Sequence, residues 1–385
     1  MIPYGRQSID AGDVDAVREV LNSDWLTQGP TVPRFEAELT RHTGAAHAVA
    51  VSSATAALHL ACRALGLGPG ELLWTAANTF VASANCARYC GADVDFIDID
   101  PRTYNISCEA LADKLRAAER SGRLPKIVMP VHFAGQSCQM RELRQLAERY
   151  GFRIIEDASH AIGADYLQRP VGSCQYADLC VFSFHPVKII TTAEGGAVMT
   201  NQPQLAERLR LLRSHGISRE PNSWRHPDGT GPWYYEQHEL GYNYRLTDLQ
   251  AALGCSQMRR LDEFVARRRA LAESYDDALR HPRLLTPWQH PDARSCYHLY
   301  PVRVATAGAS DRNAVFAQLR AAGVGVNVHY IPVCAHPYYQ QLGFSADYCP
   351  NAWAYYREAI SLPLFPALSG ADQQQVVNAL LGALG

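Results

Sequence analysis

The chain has 385 residues, 47% of them apolar and 19% charged, and 36 basic against 38 acidic residues leave a formal net charge of −2. That length buries a large core and suits two subdomains. The near-neutral balance gives no reason for a polyanionic partner, and no basic tract is long enough to hold nucleic acid.

The N-terminus, Met1 to Arg6, lacks the charged head and apolar core of a signal peptide. No run approaches the ~18 apolar residues of a membrane span, so the chain reads as cytoplasmic and without a membrane partner. The eleven cysteines are odd in number, scattered and without a Cys-x-x-Cys pair, which fits reduced, mostly buried thiols.

In chain order, short β-rich runs predict strands at Ala48–Ser52, Leu72–Thr75, Val94–Ile99, Ile127–Val131, Arg153–Glu156, Leu179–Phe184 and Gly196–Thr200. Helical patterns separate them, as at Ala54–Leu65, Cys108–Ala118 and Met140–Tyr150. This alternation predicts an α/β fold with a mostly parallel sheet covered by helices. Residues Ser214–Tyr244 break the pattern with Pro221, Pro227, Gly229, Gly231 and Pro232 among Trp224, Trp233, Tyr234 and Tyr235, and read as a functional loop. One long helix is predicted over Thr247–Leu279, with Arg260, Arg267, Arg268 and Arg269 on a solvated face. A smaller α+β pattern follows, so the domains are read as 1–256 and 257–385.

Ligands of such sheets bind beyond the carboxyl ends of the strands. Two motifs fall there. Asp157 ends the apolar run Ile154-Ile155-Glu156, where a buried carboxylate is costly unless paired. Lys188 follows Ser183-Phe184-His185-Pro186-Val187 and precedes Ile189-Ile190, an apolar setting that lowers an amine's pKa. A lysine that forms a Schiff base and an acid that holds a pyridinium nitrogen are what pyridoxal 5′-phosphate requires of a protein. Each residue alone also has a plainer reading: a loop lysine, and an aspartate capping a helix.

A phosphate anchor is expected at Ser52-Ser53-Ala54-Thr55, where a strand opens into a helix, with Ser183 as a second donor. Phe80 could stack on the ring or belong to the core. His160 could pack against the ring or its phenolic oxygen, or be structural. His132, His160, His185 and His329 lack the spacing of a metal site, so no metal is expected.

With these motifs the chain resembles the DegT-type sugar aminotransferases. The resemblance spans Leu26-Thr27-Gln28-Gly29-Pro30, Ser53-Ala54-Thr55-Ala56-Ala57-Leu58, Glu156-Asp157-Ala158-Ser159-His160-Ala161, Ser183-Phe184-His185 with Lys188, Glu194-Gly195-Gly196 and Gly241-Tyr242-Asn243-Tyr244-Arg245. Within that family, Ser183 to Thr192 and Ile360-Ser361-Leu362-Pro363-Leu364-Phe365 are similar to the UDP-4-amino-4,6-dideoxy-N-acetyl-β-L-altrosamine transaminase subgroup.

The resemblance implies fold type I, the aspartate-aminotransferase-like architecture, with a large domain around a seven-stranded sheet and a smaller α+β C-terminal domain. It implies pyridoxal 5′-phosphate as cofactor, L-glutamate as amino donor and a UDP-linked 4-keto-6-deoxy sugar as acceptor, in pseudaminic acid biosynthesis. Lys188 would be the Schiff-base lysine and Asp157 the partner of the pyridine nitrogen. Ala54, Thr55 and Ser183 would bind the phosphate, with Phe80 on one ring face and His160 near the ring oxygen. Asn243 would reach the phosphate of a neighbouring subunit, which implies a homodimer with shared sites. Tyr4, Asp24, Trp25, Leu26, Thr27, His329 and Tyr330 match nucleotide-sugar contacts.

Two departures stand out: Cys334 where the family pattern leads one to expect a histidine, and Ala76-Ala77 before Asn78. Both bear on the sugar rather than on the cofactor. A sugar 3-dehydratase would carry histidine in place of Lys188. A non-catalytic regulatory protein on the same fold would show damage to the set of Lys188, Asp157 and Ser183, which is whole. Amination of a different 3- or 4-keto sugar stays open.

Overall fold

The computed structural model describes residues 1–226, 231–305 and 309–385. Pro227 and Gly229 of the aromatic-rich loop lie outside the described residues. Seven strands form the main sheet: β1 His47–Val51, β2 Leu72–Ala76, β3 Asp93–Ile97, β4 Ile127–Met129, β5 Arg153–Asp157, β6 Leu179–Ser183 and β7 Gly196–Thr200. All seven predicted strands are present, with ends shifted by at most two residues.

Their order is β1-β7-β6-β5-β4-β2-β3. Only β7 runs against its neighbours, with His47 opposite Thr200 and Val51 opposite Gly196. The other pairs are parallel. Helices cover both faces, which is why β6 and β7 are buried at every residue and read as unbroken apolar runs.

The helices that matter for the site are α1 Ala11–Leu21, α2 Thr31–Thr43, α3 Ala54–Ala64, α4 Ala82–Tyr89, α5 Cys108–Ser121, α6 Met140–Tyr150, α7 Pro203–Arg213, α8 Asp248–Met258 and α9 Leu261–Ala278. The last two correct the expectation of one helix over Thr247–Leu279. Helix α8 starts at a capping box between Thr247 and Gln250 and packs on α1 and α2, buried on nearly every side. The chain turns at Arg260, whose guanidinium reaches back to Asp10 at 2.8 Å and Asp13 at 2.5 Å. Helix α9 starts in the same core as α8, through Leu261, Phe264 and Val265, and reaches a second core with Leu271, Ala272 and Tyr275.

Of the arginines of α9, Arg267 is exposed as expected, whereas Arg268 and Arg269 depart from expectation. Arg268 is buried, not solvated, and donates to the carbonyls of Tyr297, His298 and Leu364. Arg269 donates to the Ser295 carbonyl, and Arg267 to that of Leu368. All three bonds of Arg268 come from Nη1, while its buried Nε has no partner among the described residues. They fasten the 297–298 segment to the helix, and Arg269 adds residue 295.

A second sheet, β8 Leu284–Leu285, β9 Tyr300–Val304 and β10 Ala359–Leu362, is antiparallel and has a separate apolar core with Leu271, Tyr275, Val315 and Val376. The N-terminal arm is laced to this unit. Ile2 N donates to the Gly323 carbonyl at 2.9 Å, Gly325 N to that of Ile2 at 2.7 Å, and Leu364 N to that of Tyr4 at 3.1 Å. A Cβ at Gly325 would stand 2.7 Å from the Ile2 carbonyl oxygen, so this close approach requires glycine. No helix among the described residues is long and apolar enough to cross a membrane.

Candidate active site

The carboxyl ends of β5 and β6, the turn after β1, the start of α4 and the 327–331 segment enclose one cavity of about 720 Å³. At the β1 turn, Ser53 Oγ accepts from Ala56 N at 3.1 Å and caps α3. The amides of Ala54 and Thr55 lie ahead of the first intrahelical bond, at the positive end of the helix, an arrangement suited to an anion. This turn lies flush against the first residue of β7. A Cβ at Gly196 would be 2.6 Å from Ala54 N and from the Ser53 carbonyl carbon, which accounts for the second glycine of Glu194-Gly195-Gly196.

Beyond Ser183 the chain forms a loop closed on the Phe184 carbonyl, which accepts from Thr192 N and Thr191 Oγ1, both at 3.0 Å. Lys188 is carried on this loop and lines the cavity. The chain has only three lysines. Lys114 pairs with Asp95 at 2.6 Å, and Lys126 pairs with Glu71. Lys188 has no ion pair among the described residues. Its stem is partly exposed and its amine enclosed; desolvation brings its pKa down to about 8, against an upward pull from Asp157.

Asp157 is buried at the end of β5. Its Oδ2 accepts from Ser83 Oγ at 2.6 Å and its Oδ1 from Ser159 N at 3.1 Å. The carboxylate is held from two sides, with acceptor capacity left over on both oxygens.

Three histidines complete the interior. Ala134 N donates to His160 Nδ1 at 3.3 Å, so the neutral ring carries its proton on Nε2, which faces Tyr330 Oη at 3.2 Å. His298 lies against His160, with ring centroids 4.3 Å apart. His329 Nδ1 is 2.8 Å from Ser361 Oγ, and its ring is 5.5 Å from that of Tyr4. Burial pushes His160 and His298 well below the usual histidine range, with Lys188 adding to the shift in both. His329 falls to about 3, through burial first and Lys188 second. All three are therefore neutral at pH 7.

Of the residues expected at the site, Tyr4, Ala54, Thr55, Phe80, Asp157, His160, Ser183, Lys188, His329 and Tyr330 line this cavity. Asp24, Trp25, Leu26 and Thr27 do not. Their turn packs on the start of α8, where the Leu26 and Thr27 carbonyls accept from Leu249 N and Asp248 N. Asn243 is exposed outside the cavity, bridged to Ser214 on a segment whose Tyr244 carbonyl accepts from Ser52 N.

Ser53 of the expected anchor also lines the cavity, and Ser83, Ser159, Glu194, His298 and His336 are site features beyond those expectations. Where the family pattern led to a histidine at 334, Cys334 is buried, and His336 lines the cavity two residues later. A histidine between Ala335 and Pro337 was the available signal for it. For His298 there was none, because only the tertiary fold brings it beside His160.

The lone amine, the buried carboxylate across from it and the helix-end turn fit pyridoxal 5′-phosphate. The Ser53–Thr55 turn and Ser183 could receive its phosphate, Asp157 its ring nitrogen and Lys188 its aldehyde carbon. The family model described as the DegT/DnrJ/EryC1/StrS aminotransferase family matches residues 7–381.

The spore coat polysaccharide biosynthesis protein SpsC of Bacillus subtilis is 41% identical over 383 residues, covering 98% of this chain and 96% of SpsC. A UDP-4-amino-4,6-dideoxy-N-acetyl-β-L-altrosamine transaminase of Campylobacter jejuni is 37% identical over 385 residues, covering 100% of this chain and 98% of that enzyme. The PLP-form of Spr1654 from Streptococcus pneumoniae superposes with a TM-score of 0.89 at 29% identity, covering 99% of this chain and 98% of that one. The chain belongs to the DegT/DnrJ/EryC1/StrS aminotransferase family and is a PLP-dependent sugar aminotransferase of fold type I.

Proposed function

We propose that the protein moves an amino group from L-glutamate to C4 of a UDP-linked 4-keto-6-deoxy-N-acetyl-hexosamine, giving UDP-4-amino-4,6-dideoxy-N-acetyl-β-L-altrosamine for pseudaminic acid biosynthesis in the cytoplasm. The observation that carries the chemistry is Lys188, an enclosed amine with a pKa near 8 in one cavity with Asp157. The full-length identity to the Campylobacter enzyme supports the sugar. Greater identity to SpsC favours a second reading, amination of a different nucleotide-linked keto sugar.

When bound, the cofactor supplies an electron sink for the pair left by breaking a C–H bond next to nitrogen. The chain does the rest. Lys188 Nζ holds the cofactor, and roughly a tenth of this amine is neutral at pH 7. Once released, Nζ would be the base that takes the proton from the amino-bearing carbon and the acid that returns it in the 1,3-shift. Asp157 keeps the ring nitrogen protonated. Ala54, Thr55 and Ser183 would anchor the phosphate, Phe80 would cover one ring face, and His160, paired with Tyr330, would stand near the ring oxygen.

Tyr4, His329 and Tyr330 form the sugar side. Asn243 and the Asp24–Thr27 turn, exposed and outside the cavity, are proposed to act across a homodimer, with Asn243 reaching the partner's phosphate. A cofactor-binding unit 1–256 and a smaller unit 257–385 are proposed, with the boundary in the last turn of α8 just ahead of the turn at Arg260.

The test is an assay with pyridoxal 5′-phosphate, L-glutamate and UDP-2-acetamido-2,6-dideoxy-β-L-arabino-hexos-4-ulose, following 2-oxoglutarate and the sugar by NMR. The 4-amino sugar is expected. 2-Oxoglutarate formed only with another keto sugar would favour the second reading, and none with any keto sugar would contradict both.

A further inference from the structure

We infer that Ser83 is a positioning residue for Asp157, the inner link of a hydroxyl chain that aims the carboxylate at the ring nitrogen. The inference rests on the role proposed for Asp157. Ser83 sits in the first turn of α4, fully buried, and does not line the cavity. Its Oγ lies 2.6 Å from Asp157 Oδ2 and 2.8 Å from Thr79 Oγ1.

The proton order follows from valence. An ionised carboxylate only accepts, so the single Ser83 proton points to Asp157. Ser83 Oγ is then left as an acceptor, and the Thr79 hydroxyl must donate to it. The chain runs Thr79 to Ser83 to Asp157, each hydroxyl polarising the next. Ser159 N holds Oδ1 from the opposite side. Two donors from different elements, α4 and the β5 end, thus prevent rotation of the carboxylate about its Cβ–Cγ bond. The 2.6 Å length is that of a charge-assisted O–H···O⁻ bond.

The inference separates Ser83 from a merely well-packed serine through its dependence on Asp157. Cofactor affinity of the cofactor-free protein is measured by quenching of tryptophan fluorescence, together with the absorbance maximum of bound cofactor and the kcat–KM split. Ser83→Ala is expected to raise the cofactor Kd about tenfold, shift the absorbance maximum and lower kcat by about ten- to a hundredfold with KM nearly unchanged. Ser83→Thr, which keeps the hydroxyl, restores all three.

In an Asp157→Asn background the same Ser83→Ala change adds less than about twofold, since the partners act as a unit. An unchanged Kd and spectrum in folded Ser83→Ala would overturn the inference, as would an equal loss in both backgrounds. If Ser83→Ala fails to fold by circular dichroism, Thr79→Val carries the test: about threefold weaker cofactor binding is expected, and none overturns it. Wild-type behaviour of Asp157→Asn itself would sink the proposed role of Asp157, a distinct outcome that removes the inference with it.

Discussion

The floor of the cavity and its rim are built in different ways. Every floor residue sits where a strand of the main sheet ends: Ser53–Thr55 after β1, Asp157 at the end of β5, and Ser183 and Lys188 at and beyond the end of β6. Each is held by hydrogen bonds made within a few residues or to an adjoining element. The rim is assembled from distant chain segments. Tyr4 is in place because residues 2–4 are laced to 323–325 and 364, and His298 because Arg268 pins its segment from α9. In the proposed function, reaction chemistry rests on the floor and substrate selection on the rim, so damage to each should read out differently.

The largest effect is expected from Lys188→Ala. It removes the amine proposed to hold the cofactor and move the proton, so turnover is expected to fall by at least about 10³-fold while the circular dichroism spectrum is preserved. Retained turnover would break the floor account. Asp157→Ala comes next, with a loss of roughly a hundredfold, since it leaves Ser83 Oγ and Ser159 N without their acceptor and removes the counter-ion proposed for the ring. An unchanged rate would remove Asp157 from the mechanism.

A rim change should act on binding. Gly325→Val drives a side chain into the Ile2 carbonyl, at a cost of about 1–3 kcal/mol if the arm stays and loss of Tyr4 from the cavity if it leaves. A several-fold higher KM for the sugar is expected, with the glutamate half-reaction nearly unaffected. An equal loss in both half-reactions would erase the distinction between floor and rim.

The smallest effect is in pH dependence. With Lys188 near 8, the rate at which cofactor-free protein captures pyridoxal 5′-phosphate should rise with pH and level off above about 8. The stability sign follows from the same shift. The unfolded lysine binds a proton that the native one has released between about 8 and 10.5, so Lys188 favours the folded state increasingly as pH rises through that window. A capture profile still rising toward 10.5 would show an amine that is not desolvated.

The contrast also explains what the sequence made legible. Lys188, Asp157 and the Ser53–Thr55 turn were readable because each couples a residue type to a local strand-end context. The seven strands were readable for the same reason, as short apolar runs between helical patterns. Ser83 was not, because a buried serine on a helix carries no signal until β5 is brought beside α4. The single long helix failed because α8 is buried on nearly all sides, polar residues included, so no periodicity marks the turn at Arg260. Arg268 and Arg269 looked solvated because their carbonyl partners lie 25 to 106 residues away in sequence. The Leu26–Pro30 motif stood out clearly, yet within one protomer it is a packing element that anchors the start of α8.

The most direct test of the central claim uses the scarcity of lysine. Borohydride reduction of the purified holoprotein fixes the cofactor to the amine that carries it, and peptide mass spectrometry locates the label. The account predicts a pyridoxyl label on Lys188 alone, with Lys114 and Lys126 unmodified. A label on either of those two, or none on a protein that turns over, would contradict it.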